Sequence, residues 1–377
     1  MPIVCRLKRD HGSVFCATDC PAAAAGSAFE VLRIEQAQEV PAADPRTVDV
    51  AVLDMNHGWA NLGHDSLVYA VQDAACDVLP ELQAAGLRVR VLSFDVRRSG
   101  VVPAAPPRYP LYLGTGGPGH LDPHLNDGTS PGSQTLVEDP SWEAPAFALF
   151  DAIARNEEAA LLAVCHTFGV LCRWSGAAES VLRPPGKGGK SAGILENVLT
   201  PEAQSHPWFS RLAEELPDHR RLRVVDHRLF DLIPAGPLPA GATAIGFETL
   251  GPGGPPGDAL TMMEFARDAE GLPRVFGVNH HPEIVDRSRQ RLILEQKRER
   301  GEVTDDWYQD RMQLLAQYPD EATDHGLHLT SDFTLLGPLR FHLYRALARR
   351  AGALGLPFAV PEAALPEPVR HTETRRP

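Results

Sequence analysis

The chain has 377 residues, more than a typical single domain, although α/β folds often use over about 200 residues for one core. Its composition, 43% hydrophobic and 23% charged with 34 Pro and 32 Gly, suits a globular protein with a large core and long loops. A formal net charge of −13, with no long Lys/Arg block and no apolar run of roughly 18 to 20 residues, argues against nucleic acid or a membrane as partner.

The opening "MPIVCRLKRDHGSVFCATDC" has no continuous apolar signal core, so a cytoplasmic location is expected. Residues 1–47 carry no sustained period and read as an N-terminal extension. Cys5, Cys16, Cys20, Cys76, Cys165 and Cys172 are sparse and irregularly spaced, which predicts reduced thiols rather than a disulfide scaffold. His11, Cys16 and Cys20 invite comparison with metal ligands, but C-x3-C has no second ligand pair downstream, so no metal and no cofactor is expected.

The Val-rich run "VDVAVLDM" (48–55) predicts a buried parallel strand. From Asp65, a candidate N-cap, Leu67, Val68, Val71, Ala75, Val78, Leu79 and Leu82 recur at helical spacing, and Gly86 supplies a stop. "LRVRVLSF" (87–94) is the next strand, completing a βαβ unit. A Pro-rich loop then leads to "LYLGTGGPGHLDP" (111–123), a short strand running into glycines. "PAFALFDAIARNEE" (145–158) predicts a helix, "AALLAVC" (159–165) a buried strand, and "HTFGVLCRWSG" a helix ending at Gly176. The pattern is a doubly wound α/β fold, with a mostly parallel sheet flanked by helices. Residues 177–245 are loop-rich and read as an insertion or lid. Residues 259–283 predict two strands about a D-A-E-G turn, and the last ninety or so a helical C-terminal extension (287–377) closed by a disordered Pro-rich tail.

Cys165 stands where a parallel strand meets a helix. A turn of that kind exposes a side chain at the carboxyl edge of the sheet, and the helix N-terminus stabilises a thiolate. The same residue also reads as a buried thiol at the end of a core strand. A nucleophile requires a base, usually oriented by a third group. "GVNHHPE" offers His281 and Glu283; because adjacent strand residues face opposite ways, only one of His280 and His281 can face the thiol. "GTGGPG" offers backbone N–H groups that can approach a ligand closely, or a plain turn. Asn56, His57, Gly58 and His64 follow the first strand at the same edge and could line a pocket. "PGKGGKS" (185–191) evokes a phosphate loop, but the G-x4-G-K-[ST] pattern requires glycine at 184, where the chain has Pro184; a flexible basic loop is expected instead.

In this order the three segments resemble the class I glutamine amidotransferase superfamily, with its G-G-P or N-G-P-G loop, its G-x-C-x-G-x-Q elbow and its late H-P-E. Here they are Gly116-Gly117-Pro118-Gly119, Ala163-Val164-Cys165-His166-Thr167-Phe168-Gly169 and His281-Pro282-Glu283. "FDVRRSGVVP" (94–103) and "VVDHRLFDLIP" (224–234) look like segments of the GMP-synthase-like members, and the likeness spans 48–286. It implies Cys165 as nucleophile, His281 as general base and acid, Glu283 as its orienting carboxylate, and the N–H groups of Gly117 and His166 as oxyanion hole. Gly116, Gly119, Gly169 and His227 would face the substrate. The activity implied is hydrolysis of a small-molecule side-chain amide through a thioester, with ammonia passed to a partner protein or released.

The chain departs from the elbow pattern at Ala163, Thr167 and Gly169. Threonine is β-branched and is expected to crowd the turn. Gly169 stands where the family carries the glutamine that helps hold substrate glutamine, which opens a second reading, a hydrolase of γ-glutamyl or other amides. A third reading is a catalytically silent binding or regulatory member that uses its C-terminal helices as a contact surface.

Overall fold

The computed structural model describes residues 28–187, 189–316 and 325–362. The His11, Cys16 and Cys20 set and the Pro-rich tail lie outside them. In chain order the strands are β1 (Phe29–Ile34), β2 (Thr47–Asp54), β3 (Arg88–Asp95), β4 (Leu111–Gly114), β5 (Ala160–Val164) and β6 (Ala178–Leu182). They continue with β7 (Ser191–Leu199), β8 (Arg221–Arg228), β9 (Phe230–Pro234), β10 (Thr243–Thr249), β11 (Pro256–Arg267) and β12 (Pro273–Val278). The main sheet has the order β1-β3-β2-β4-β5-β12-β11-β10-β7-β8, and β6 pairs separately with β9. From β1 to β12 every pairing is parallel, and beyond β12 every pairing is antiparallel.

Alternation along β2 shows how the sheet is covered on both faces. Val48, Val50 and Val52 enter one core with Leu67, Val68 and Val71 of helix α1 (Gly63–Asp77), whereas Ala51 and Leu53 enter the other. That second core is covered by Ala146, Leu149, Phe150 and Ile153 of α2 (Glu143–Arg155), with Phe168 and Leu171 of α3 (His166–Ser175). Helices α4 (Arg287–Glu299), α5 (Asp305–Ala316) and α6 (Gly337–Leu354) follow β12. Of these, α6 returns across the first core, burying Leu339, Leu343, Tyr344 and Leu347. Among the described residues no helix is long and apolar enough to cross a membrane.

The arrangement is the doubly wound α/β fold expected from the sequence, with four local corrections. Within the stretch read as an extension, Phe29–Ile34 is an edge strand, parallel to β3 from Phe29↔Val89 to Ile34↔Phe94. The stretch 177–245 supplies β6, β7, β8 and β9, and two of these belong to the main sheet, so it is a structured part of the fold rather than an irregular lid. Asp65 is not an N-cap: α1 begins at Gly63, and Asp65 lies inside it, paired to Lys297 at 2.6 Å. The long predicted helix is broken at Val78, because Pro80 has no N–H to donate to the preceding turn; a short helix, Leu79–Ala85, then ends at Gly86 with φ 63°.

Candidate active site

β5 runs straight into α3 through Cys165, whose backbone takes φ 48° and ψ −100°. A non-glycine residue in that region costs on the order of 1–3 kcal/mol and persists only where its surroundings fix it. Here the Cys165 N–H donates to Val278 O at 2.7 Å, and the Cys165 carbonyl accepts from Gly169 N at 3.0 Å. The strained turn lifts the thiol out of the sheet, and at the first turn of α3 the His166 N–H has no intrahelical acceptor.

His281 and Glu283 follow β12, the strand beside β5. Glu283 Oε1 accepts from His281 Nδ1 at 2.8 Å, which leaves Nε2 on the opposite side of the ring, toward Cys165. Among the described residues Nε2 has no hydrogen bond within normal limits, yet the thiol is close enough to act on it electrostatically. Burial opposes the imidazolium, but the charges of Glu283 and Cys165 outweigh it and hold the His281 pKa well above its ordinary value. His280 faces away: its Nε2 lies 3.4 Å from Thr334 Oγ1, and burial pushes its pKa down to about 3.

The Gly-rich loop after β4 closes the third side. A Cβ on Gly116 would lie 3.1 Å from His281 Cε1 and 3.5 Å from Cys165 Cβ, so only glycine leaves the two side chains this close. A Cβ on Gly117 would overlap the Met55 carbonyl. The loop is held from behind by residues whose importance the sequence did not signal. Arg97, fully buried, donates to Pro118 O at 2.7 Å and Met55 O at 2.9 Å and makes a two-pronged ion pair with Glu138. Gly119 N donates to Gln134 Oε1 at 2.8 Å, and His120 N donates to Asn126 Oδ1 at 2.7 Å. The ring of His166 is buried beside this loop, and burial and then the Arg97 charge drive its pKa well below the ordinary value, so it is neutral.

These segments meet at one cavity of about 160 Å³, lined among others by Asn56, Gly117, Gly119, Cys165, His166, His227 and His281. Of the residues expected there, Gly116 sits between His281 and Cys165, whereas His57, His64 and Gly169 do not line the cavity. His64 is buried instead between Ser93 Oγ, 2.7 Å away, and Asp65 Oδ1, 2.8 Å away. Gly169 is covered: a Cβ there would overlap the side chain of Leu121, which occupies the neighbouring space and itself lines the cavity. Thr167 does not crowd the elbow. Its methyl group rests where a side chain at Gly114 would stand, and its hydroxyl donates to Thr115 O at 2.7 Å. In "PGKGGKS" a short turn leads into strand β7 rather than a helix, and Lys187 is tied to Asp258 at 2.7 Å and Glu248 at 3.2 Å. Among the described residues no group of three or more His, Cys, Asp or Glu side chains is placed to hold a metal ion.

No protein-family model and no curated protein matches the sequence. Solved structures similar to the chain include a glutamine amidotransferase from Thermotoga maritima, at 16% identity and TM-score 0.44, covering 80% of this chain and 98% of that one. Another is the CTPS glutaminase domain of Trypanosoma brucei with bound acivicin, at 10% identity and TM-score 0.37, covering 72% of this chain and 95% of that one. The doubly wound sheet of the present chain carries its cysteine, its His-Glu pair and its glycine loop at the carboxyl ends of three adjacent strands, β4, β5 and β12.

Proposed function

We propose that the chain is a cysteine-dependent amide hydrolase of the class I glutamine amidotransferase type. The observation that carries this reading is the strained Cys165 turn facing His281, with Glu283 bonded to the far side of the imidazole at 2.8 Å. In the proposed reaction the Cys165 sulfur attacks the amide carbon, and the carbonyl oxygen becomes an oxyanion received by the N–H groups of Gly117 and His166. His281 then delivers its proton to the leaving nitrogen, the C–N bond breaks, and ammonia or an amine departs, leaving a thioester. Water, deprotonated by His281, attacks the thioester and returns the thiol with a carboxylic acid. Glu283 holds the ring in the tautomer that this sequence of transfers requires.

A specific observation favours an amide other than free glutamine. Leu121 takes the space beside Gly169, so the site offers an apolar surface where the resemblance leads one to expect a carboxamide. Without a carboxamide there to hold free glutamine, the second reading, hydrolysis of a γ-glutamyl or other amide, is the one this observation supports. Incubation with a glutamine-mimicking diazoketone, read by peptide mass spectrometry, tests the reading: labelling at Cys165 that disappears in His281→Ala is expected. Labelling by a general thiol reagent alone favours the γ-glutamyl reading, and a Cys165 inert to both means the chain is a binding member without this chemistry.

A further inference from the structure

The wall of the Cys165 cavity holds Lys190, Arg228 and Arg311 but no aspartate or glutamate, in a chain whose net charge is −13. Arg228 is neutralised at the back of the cavity by Asp226 at 2.5 Å, Asp231 at 3.1 Å and Glu248. Lys190 and Arg311 are not matched in this way. Arg311 has Asp310 at 3.9 Å, the outer limit of an ion pair, and lies 5.4 Å from the Trp307 ring centre. Lys190 makes no ion pair among the described residues. The two cations come from distant parts of the chain, the residue before β7 and the middle of α5, and converge on one opening. They also feel one another. Lys190 is an exposed residue at the rim; loss of some of its hydration and then the Arg311 charge lower its pKa, while the Cys165 charge works the other way. Burial, Lys190, His281 and Arg311 push the His227 pKa down to about 3, so His227 faces the same cavity as a neutral imidazole.

Two like charges that line one opening with no close counter-ion among the described residues favour an anion entering between them. We propose that Lys190 and Arg311 form an anion-binding subsite at the Cys165 cavity, and that the substrate is an amide bearing a carboxylate that docks there. Helix α5 is thus part of the substrate site, not an appendage. The guanidinium offers a carboxylate two parallel N–H donors and the ammonium supplies a point charge. The subsite rests on the hydrolase reading for its substrate, but not for its existence.

A pair of thiol reagents that differ in charge separates the two. Iodoacetate is an anion and iodoacetamide is neutral; both transfer a two-carbon group to sulfur as iodide leaves. The rate ratio of iodoacetate to iodoacetamide at Cys165, followed by peptide mass spectrometry, is expected to exceed that of the same cysteine in urea-unfolded protein by on the order of tenfold. Lys190→Gln with Arg311→Gln is expected to return the ratio to the unfolded value, and because both reagents react with the same thiolate, a change in thiolate fraction cancels in the ratio. A wild-type ratio equal to the unfolded one, or a ratio that the double substitution leaves unchanged, overturns the subsite. Should Cys165 resist both reagents, the hydrolase reading fails, and calorimetric titration with glutarate then decides: binding lost in the double variant sustains the subsite, and binding absent or unaltered overturns it.

Discussion

Glu283 controls the proton on His281 through a single contact, and its own place is set by a residue with no side chain. A Cβ on Gly63, at the start of α1, would lie 2.5 Å from Glu283 Oε1, so the helix begins with glycine to admit the carboxylate. Because the Glu283 and Cys165 charges raise the His281 pKa, Glu283→Gln is expected to move the ring titration of His281, followed by NMR, to lower pH. The sign for stability follows. A histidine whose folded pKa is raised contributes stability that is fully present below its unfolded value, about 6.5, and lost as pH climbs through the folded one. The stability advantage of the wild type over Glu283→Gln therefore narrows in alkaline solution; a His281 titration unmoved by the substitution would contradict the assignment. Cys165, His281 and Glu283 stood out in the sequence as a candidate set because a proposed thiol nucleophile needs a base and an orienting group, and the fold brings the three together. Arg97, Gln134, Lys190 and Arg311 were not, since each reaches the site from a segment whose distance along the chain carries no information about its distance in space.

Strands with two buried faces announced themselves, and those with one did not. β2 and β5 are buried at every position and read as continuous apolar runs. β1, "FEVLRI", mixes charged and apolar residues because it is an edge strand, and only its pairing with β3 reveals it. Its Arg33 reaches inward to Asp54 and Asp95, each at 3.2 Å, so the charge that hid the strand also fastens it. β6 and β9 are short and pair only with each other, which accounts for the irregular look of their segment. The C-terminal helices were read correctly as helices, yet their burial was not foreseen. Leu343 of α6 is fully buried against the first core, so Leu343→Ala is expected to cost about 2–5 kcal/mol in urea denaturation, as a core residue would. A loss below about 0.5 kcal/mol would mean that α6 is a dispensable cover.

At the scale of the whole molecule, buried neutral histidines set the response to acid. Burial pushes His280 to about 3 and His342 to about 4, and His342 Nε2 donates to Pro273 O at 2.7 Å, a bond that a neutral ring can make. With His227 at about 3, these groups bind protons in the unfolded chain that the folded chain refuses. Their contribution is complete above the unfolded value of about 6.5 and drains away as pH falls from there toward 3 to 4, opposite in sign to that of His281. The urea midpoint is therefore expected to drop between pH 7 and pH 5, and the drop to shrink when His280 and His342 are both replaced by glutamine; an unchanged slope would place acid sensitivity elsewhere.

Two of the three departures at the elbow, Thr167 and Gly169, have a counterpart elsewhere in the chain. Thr167 occupies volume released by Gly114, and Leu121 occupies volume released by Gly169. Each is an exchange between α3 and the segment that begins with β4, made without altering the total filling of the space. A sequence pattern written along the elbow alone scores both positions as losses, whereas the two segments taken together fill the space between them. Homologous chains that carry bulk at 114 should carry glycine at 167, and those with a long polar side chain at 169 should have a small residue at 121.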